Sequence, residues 1–506
     1  MNCWSISAAK LLLPQLVLGR AINEKVNSSP LGKLFVIMFI VLKNVCMLVY
    51  SKLEKRKNML FLKLTLGLLL ITTSYCLGQT RTENLEKYWH YKERLIGTEN
   101  EFGFLDIGIG RGMSLAASER YPSANCTTDY YLKKKGCTGS KGRGRMHWGD
   151  ASLYHGLYMA ILALEYANLE QAQQSTDAVA EELWYALEAF ERLDSMAEVV
   201  LGLPGKKDGF FIRDDIEGDF YIKKGAARNR RFTNGKDSYS CLSSALSCGP
   251  PSAESGAFIS QDQVIGLFVG FSMIQQLIPD KRYKTNGPTF GEKARLNVHR
   301  ITSHMMDRKW KLRTPDGSPI PDKWGGNAIG LSFPISTIAN QLTEQKYVKT
   351  YQKNGAILLG KPIYDLLQGT LSVQHPTNVV LALASATLLP ERSYKELGRR
   401  SIKHDVIIYP LMRAVLFNQK IFEKIKRSDF EAILNTAPYD GPCFGLEDCT
   451  APDGWKSYNR WIHPHFKNGN PYGVHSEMPG LDYLLLYNLY HYYYKANLPS
   501  YKKTSK

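Results

Sequence analysis

The amino-acid sequence predicts an all-α-dominated fold of antiparallel helical hairpins, stacked into a bundle or closed into a ring. Three features point there. Long segments space their apolar residues three and four apart, the period of a helix with one buried face. Strand-like alternation is scarce. No heptad register persists, which argues against a coiled coil.

The elements follow in chain order. Over 152–170, Leu153, Leu157, Ile161 and Leu164 share one helical face. A second helix is predicted over 177–201. A third covers 260–277, with Ser260 as cap and Gln263 three residues on, a capping-box pattern. Further helices are predicted over 290–308, 327–342, 344–368, 376–388, 395–417 and 480–495. Residues 210–213 and 220–222 suit a small β-hairpin insertion. From Gln79 to Lys506 there is no linker and no break in composition, so 79–506 reads as a single helical domain.

The chain before Gln79 has a different character. Lys55, Arg56 and Lys57 form a basic head, Leu60 to Ile71 an apolar core interrupted at Lys63, and Cys76-Leu77-Gly78-Gln79 a small-residue exit. That is the three-part plan of a secretory signal peptide, expected over 59–78 with cleavage after Gly78. The core is shorter than the roughly 20 residues a spanning helix needs. Residues 1–58 then read as an upstream or mis-translated leader, with Met59 as the start, a reading that leaves the signal only Lys63 of its basic head. The alternative is a membrane segment at 34–50, broken by Lys43, which would anchor the protein. Export places the protein as secreted, periplasmic or on the cell surface.

Charge and cysteines bear on partners and compartment. The net charge is +17, of which +8 falls within residues 1–79. The remainder shows only short basic runs, such as Lys133-Lys134-Lys135, and not the clustered stripe that nucleic acid requires. Nucleic acid is therefore not an expected partner, and a membrane is one only through an uncleaved N-terminal segment. Of nine cysteines, six follow Cys76, as Cys126/Cys137, Cys241/Cys248 and Cys443/Cys449 in Gly-, Pro- and Ser-rich loops. Even numbers in close pairs suit loop-stapling disulfides of an oxidising compartment. Zinc sites favour a C-x2-C spacing that none of these pairs has.

Five loop segments concentrate acidic and aromatic residues beside helix starts. They are Met146 to Asp150, Lys207 to Asp215, Ile259 to Gln263, Asp322 to Asn327, and a long tail from Trp455 to Asp482. An aromatic face stacks on the apolar face of a sugar ring, and neighbouring carboxylates accept its hydroxyl hydrogen bonds. Paired carboxylates also serve as general acid and base on a glycosidic bond. The catalytic candidates are Asp150 and Asp262, with Asp214, Asp215 and His147 behind them. Trp148, Tyr154, Arg213, Trp324, Trp455, Arg460, Trp461 and His463 are the candidate substrate-binding residues. Each alone is as well explained structurally; Asp150 and Asp262, for example, suit the positive end of a helix dipole. Recurrence on successive inter-helix loops is what points to a site.

The segments H-W-G-D-A-S-L-Y-H-G-L-Y (147–158), D-G-F-F-I-R-D-D (208–215) and S-Q-D-Q-V-I-G-L (260–267) resemble the six-hairpin, or (α/α)6-toroid, carbohydrate-active superfamily. The resemblance implies an (α/α) toroid or helical-hairpin barrel. It implies a site at one mouth of the ring, and an activity among inverting glycosidases, unsaturated-uronyl hydrolases and polysaccharide lyases. The expectation is a glycoside hydrolase-like enzyme with a carbohydrate substrate and no cofactor. The alternatives are a lyase on an acidic glycan, with His147, Tyr154 and Arg213 carrying base and charge-neutralising roles, or a non-catalytic glycan- or protein-binding surface protein.

Other motifs carry less. Gly108-Ile109-Gly110-Arg111-Gly112 has the wrong glycine spacing for a dinucleotide loop. The acidic run Asp214 to Asp219 lacks EF-hand ligand spacing. His463, His465 and His475 read as loop histidines, so no metal is expected.

Overall fold

The computed structural model describes residues 83–95, 97–98, 101–102, 119–121, 145–147, 151–215, 258–320, 335, 339, 342–343, 408–418, 420–421, 425–439, 441–444 and 476–495, all within the compact unit Arg81–Lys506. Helices dominate them: α1 (residues 83–95), α2 (Ala151–Gln171), α3 (Asp177–Val199), α4 (Gln261–Leu277), α5 (Phe290–Asp307), α6 (Ile408–Leu416), α7 (Arg427–Thr436) and α8 (Leu481–Tyr494). The strands are two or three residues long: β1 (Gly97–Thr98), β2 (Glu101–Phe102), β3 (Glu119–Tyr121), β4 (Arg145–His147), β5 (Cys443–Phe444) and β6 (Ser476–Glu477).

Helix composition sorts the helices by burial. The stretch of α2 from Ala151 to Leu164 holds no acidic or basic side chain except His155, which burial keeps neutral, and α2 is buried on every face from Ala151 to Leu169. The N-terminal ten residues of α8 that follow Gly480 are also almost wholly buried. α3, α5 and α7 carry charges around a single apolar stripe, and the covered face is that stripe together with a few polar residues, among them Asp194 and Glu198 of α3 and Lys293 and His304 of α5. Local chemistry sets the starts. Ahead of α5, Thr289 Oγ1 accepts from the Glu292 N–H at 3.0 Å, while Glu292 accepts from the Thr289 N–H at 2.6 Å.

α2 and α3 form an antiparallel hairpin across residues 172–176. His155 meets Ala186, and one turn further along α2, Tyr158 meets Glu182. α4 and α5 form the next hairpin, in which Arg295 reaches back to Gln275. The two hairpins join through α2 and α4, which run parallel. Gln263 lies against Leu153, Gly266 against Leu153 and Gly156, and Gly270 against Gly156 and Met159. This crossing has backbone on both sides. A Cβ at Gly156 would overlap the Gly266 carbonyl, and one at Gly266 would come within 2.7 Å of Leu153 Cα.

α1 closes one flank through a buried ionic network. Lys92 Nζ lies 3.3 Å from Glu165 on α2 and 2.8 Å from Glu182 on α3. Tyr88 donates to Glu165 at 2.5 Å and Tyr158 donates to Glu182. Burial works against the Lys92 ammonium, but the two carboxylates outweigh it and hold its pKa above the usual lysine value. Asn488 of α8 donates to Tyr88 and receives from Asn168, so every helix at this junction is tied by a polar contact.

The strands give one four-stranded antiparallel arrangement in the order β4-β3-β6-β5, with Arg120 opposite both Met146 and Glu477. Its strands β4 and β6 each end four residues before a buried helix, α2 and α8 respectively.

The predicted helices over 152–170, 177–201, 260–277, 290–308 and 480–495 are present within a few residues. Those over 344–368 and 376–388 lie outside the described residues. Only Ile335, Ala339 and Leu342 of 327–342, and α6 of 395–417, are described. Residues 220–222 are also outside, and Ile212 forms a single antiparallel bridge with Phe258. The capping box at Ser260 is corrected. Ser260 is the N-cap of α4 in extended conformation, but its side chain makes no capping bond, and the Gln263 side chain, which would complete the box, turns to α2 instead. Among the described residues no helix is long and apolar enough to cross a membrane; residues 34–50 are not among them.

The glycine crossing yields a direct expectation. Gly156→Ala should destabilise the protein by about 1–3 kcal/mol through overpacking. At Gly287 an added Cβ meets nothing closer than 3.4 Å, so Gly287→Ala should change stability by less than about 0.5 kcal/mol. Urea denaturation of both variants beside the parent checks the pair.

Candidate functional site

The parallel alignment of α2 and α4 sets their first turns side by side, and Gln263 stitches them. Its Oε1 accepts from Ser152 Oγ at 2.5 Å and from the Leu153 backbone N–H at 2.8 Å. The first turn of a helix has backbone N–H groups without intrahelical acceptors, so a side chain of α4 here supplies what α2 lacks. Because α3 and α5 run back along their hairpins, their C-terminal turns come to the same end.

Residues 207–215 thread through that end. The Ile212 N–H reaches the Leu193 carbonyl at 3.4 Å, and the Ile259 N–H donates to the Phe211 carbonyl at 3.0 Å. Arg213 Nε donates to the Phe258 carbonyl at 3.0 Å. Phe210 stacks between Phe258 at 5.1 Å and His304 at 5.3 Å, ring centre to ring centre. Three of the five loop segments singled out in the sequence thus lead into one end of the helical body. The first of them, through β4, shares a sheet with β6 of the fifth.

The candidate residues fall as follows. Asp214 is fully buried. Asp215 is 4% exposed and held in a two-pronged ion pair by Arg192, Nη2 to Oδ1 at 3.1 Å. Tyr154 is buried in the first turn of α2, and Arg213 is half-buried. His147 is described as backbone at the end of β4, Asp262 as backbone in the first turn of α4, and Cys443 as backbone in β5. Asp150, Trp148, Trp324, Trp455, Arg460, Trp461 and His463 lie outside the described residues, as do Cys126, Cys137, Cys241, Cys248 and Cys449.

The same end holds ionisable groups that sequence reasoning missed. Asp194 is fully buried near the end of α3, and its Oδ1 accepts from the Gly209 N–H at 2.7 Å. Gly209 sits at φ +90°, and a Cβ there would overlap the Arg300 carbonyl of α5, so the position admits only glycine. Burial pushes the Asp194 carboxyl up to about 7, against the Gly209 N–H. Burial, then the Asp208 carboxylate, pushes Glu198 up to about 7 as well. His304 is held down to about 4 by burial and then by the Arg308 guanidinium. One signal could have exposed this group. Asp194 and Glu198 continue the buried stripe of Leu183, Leu187 and Phe190 at spacings of three and four.

Chemically, this end offers carboxyl groups that stay protonated near neutral pH, as a general acid must. Beside them are an ion-paired carboxylate and a neutral imidazole. Among the described residues no three His, Cys, Asp or Glu side chains converge as metal ligands. Comparison with family models, with curated proteins and with solved structures finds no match to this chain.

Gln263 generates the next expectation. Gln263→Ala strands the Ser152 hydroxyl and the Leu153 N–H in a buried setting. It should cost about 1–3 kcal/mol, read as a lower urea midpoint with an unchanged denaturant slope.

Proposed function

We propose that the chain is a carbohydrate-active enzyme that cleaves glycosidic bonds of a poly- or oligosaccharide. In this reading it is a hydrolase, with carboxylates of the loops at the α2/α4 end as acid and base. The single observation that carries the reading is the Gln263 contact with Ser152 and Leu153. It brings Ser152 and Leu153 of the first turn of α2 and the segment S-Q-D-Q together across more than a hundred residues of chain. Asp150 precedes the first of these helix starts in sequence and Asp262 belongs to the second. They remain the first candidates for acid and base.

Two further features support the reading. Buried α2 and α4 run parallel, each followed by a half-buried helix that runs back. That alternation is what a ring of helical hairpins, a toroid, requires. The carboxyls of Asp194 and Glu198 titrate near 7 at the same end, so the local environment keeps a carboxylic acid protonated at neutral pH. The proposed setting is outside the cytoplasm, supported by the leader-like pattern at 59–78 and by six cysteines that fall as close neighbours in sequence.

The test is turnover on a panel of polysaccharides. New reducing ends mark hydrolysis, and ultraviolet absorbance of an unsaturated uronyl product marks elimination. Asp150→Asn and Asp262→Asn should each lower turnover by about 10²–10⁴-fold, the usual contribution of a general acid or base, with circular dichroism unchanged. Binding without product release overturns the enzyme reading, and full activity in both variants overturns the residue assignment.

A further inference from the structure

The end of α3 and the turn over 203–209 carry a polar cluster in which carboxylate acceptors meet only backbone donors. Asp194 Oδ2 is buried without a hydrogen-bond donor in geometry, and backbone N–H groups of Lys206 and Glu198 are the donors that Glu198 has. The Asp208 carboxyl and the Lys206 backbone adjoin Glu198. From α5, the His304 ring, 1% exposed in its side chain, points Nδ1 at Asp208 Oδ1 across 3.8 Å. The Arg313 backbone also faces that ring. The cations nearby are Arg300, beside Asp194, and Arg308, beside His304. Lys207 of the turn is already taken, pairing with Glu191 at 2.7 Å.

Buried acceptors without donors are costly, so something must satisfy them. The described side chains do not converge as metal ligands. A proton on one carboxyl turns an acceptor into a donor. We propose that Asp194, Glu198, Asp208 and His304 form a proton-operated latch, which holds the 203–209 turn closed through the Asp194–Gly209 bond and loosens as protons leave. A proton shared between neighbouring carboxyls replaces repulsion with a hydrogen bond. Its loss leaves up to three negative charges at the base of one turn, two of them on the buried Asp194 and Glu198, with the Arg300 and Arg308 charges to offset them.

The titration directions agree. Asp194 and Glu198 have pKa values raised to about 7 when the turn is closed, against about 4 for free carboxyls. Their contribution to closure is complete below about 4, is lost as pH rises towards 7, and stays lost above it. His304, lowered to about 4, acts in the opposite sense. It favours closure above about 6.5, and that contribution fades as pH falls. If opening frees all three groups, two protons leave and one is taken up.

The latch is tested on the full chain and needs no substrate, so it stands or falls apart from glycan cleavage. Amide hydrogen exchange at Gly209, corrected for the intrinsic rate, reports opening. Between about pH 5 and 6.5, opening should rise about tenfold per pH unit, the slope of one net proton released. Asp194→Asn keeps an acceptor for Gly209 but removes one proton, so its slope should fall to about zero. Glu198→Gln should do the same, and serves if the first variant does not fold. His304→Gln should steepen the rise to about a hundredfold per unit. A pH-independent parent, or full slopes in both carboxyl variants, overturns the latch. An unchanged slope in His304→Gln removes His304 from it.

Discussion

Where Gly156 of α2 faces Gly266 and Gly270 of α4, two helix backbones meet with no side chain between them. Glycine inside a helix costs about 1 kcal/mol relative to alanine, and α2 and α4 carry three at one crossing. The close approach compensates by letting Leu153, Leu157, Leu267 and Phe271 pack around the contact, all of them buried. Depth and direction follow from it. A wider crossing would carry Gln263 out of reach of the Leu153 N–H, and an antiparallel one would place it at the other end of α2. The gathering of loops at one end is therefore a consequence of two small residues on one helix and one on its neighbour.

Buried charge is handled in two ways on either side of this crossing. Around Lys92 each ionised group has a partner: the ammonium lies between Glu165 and Glu182, and two tyrosine hydroxyls donate to the carboxylates. Pairing of this kind fixes geometry more than it adds stability, since desolvation of three ions offsets much of the attraction. It holds α1, α2 and α3 in one register. Around Asp194 and Glu198 the donors are too few, and the carboxyls respond by holding their protons. The first arrangement is static. The second responds to pH because its charge state is the variable that relieves the shortage.

Much of the helical body was legible from periodicity. The apolar runs of α2, α3, α4, α5 and α8 mark their extents within a few residues, because burying a stripe requires a period near 3.6 whatever the partner. α1 and α7 were not picked out. In α1, Lys87 and Lys92 occupy buried positions, so charge interrupts the stripe that would have shown it. Lys87 is satisfied by the Leu434 carbonyl and Lys92 by the two glutamates, partners remote in sequence. α7 is only ten residues long, and three of its apolar residues are buried. The candidate site was legible as a set of loops and not as a set of contacts. Asp215 stood out as an acid, but its pairing with Arg192 on α3 did not. Gln263 read as the partner of Ser260 because a capping box is a local pattern, and a local pattern carries no information about a neighbouring helix.

By itself the sequence determined which stretches become helices, which faces they hide, and where glycine replaces a side chain, because these are local demands of backbone geometry and of water's exclusion from apolar surface. Only the tertiary structure decided that α2 and α4 run parallel, that Gln263 serves the other helix, and that Asp194, Glu198, Asp208 and His304 come together at one end of the body. Those outcomes depend on distances between residues far apart along the chain. Burial and proton affinity are set by such distances, and composition does not encode them.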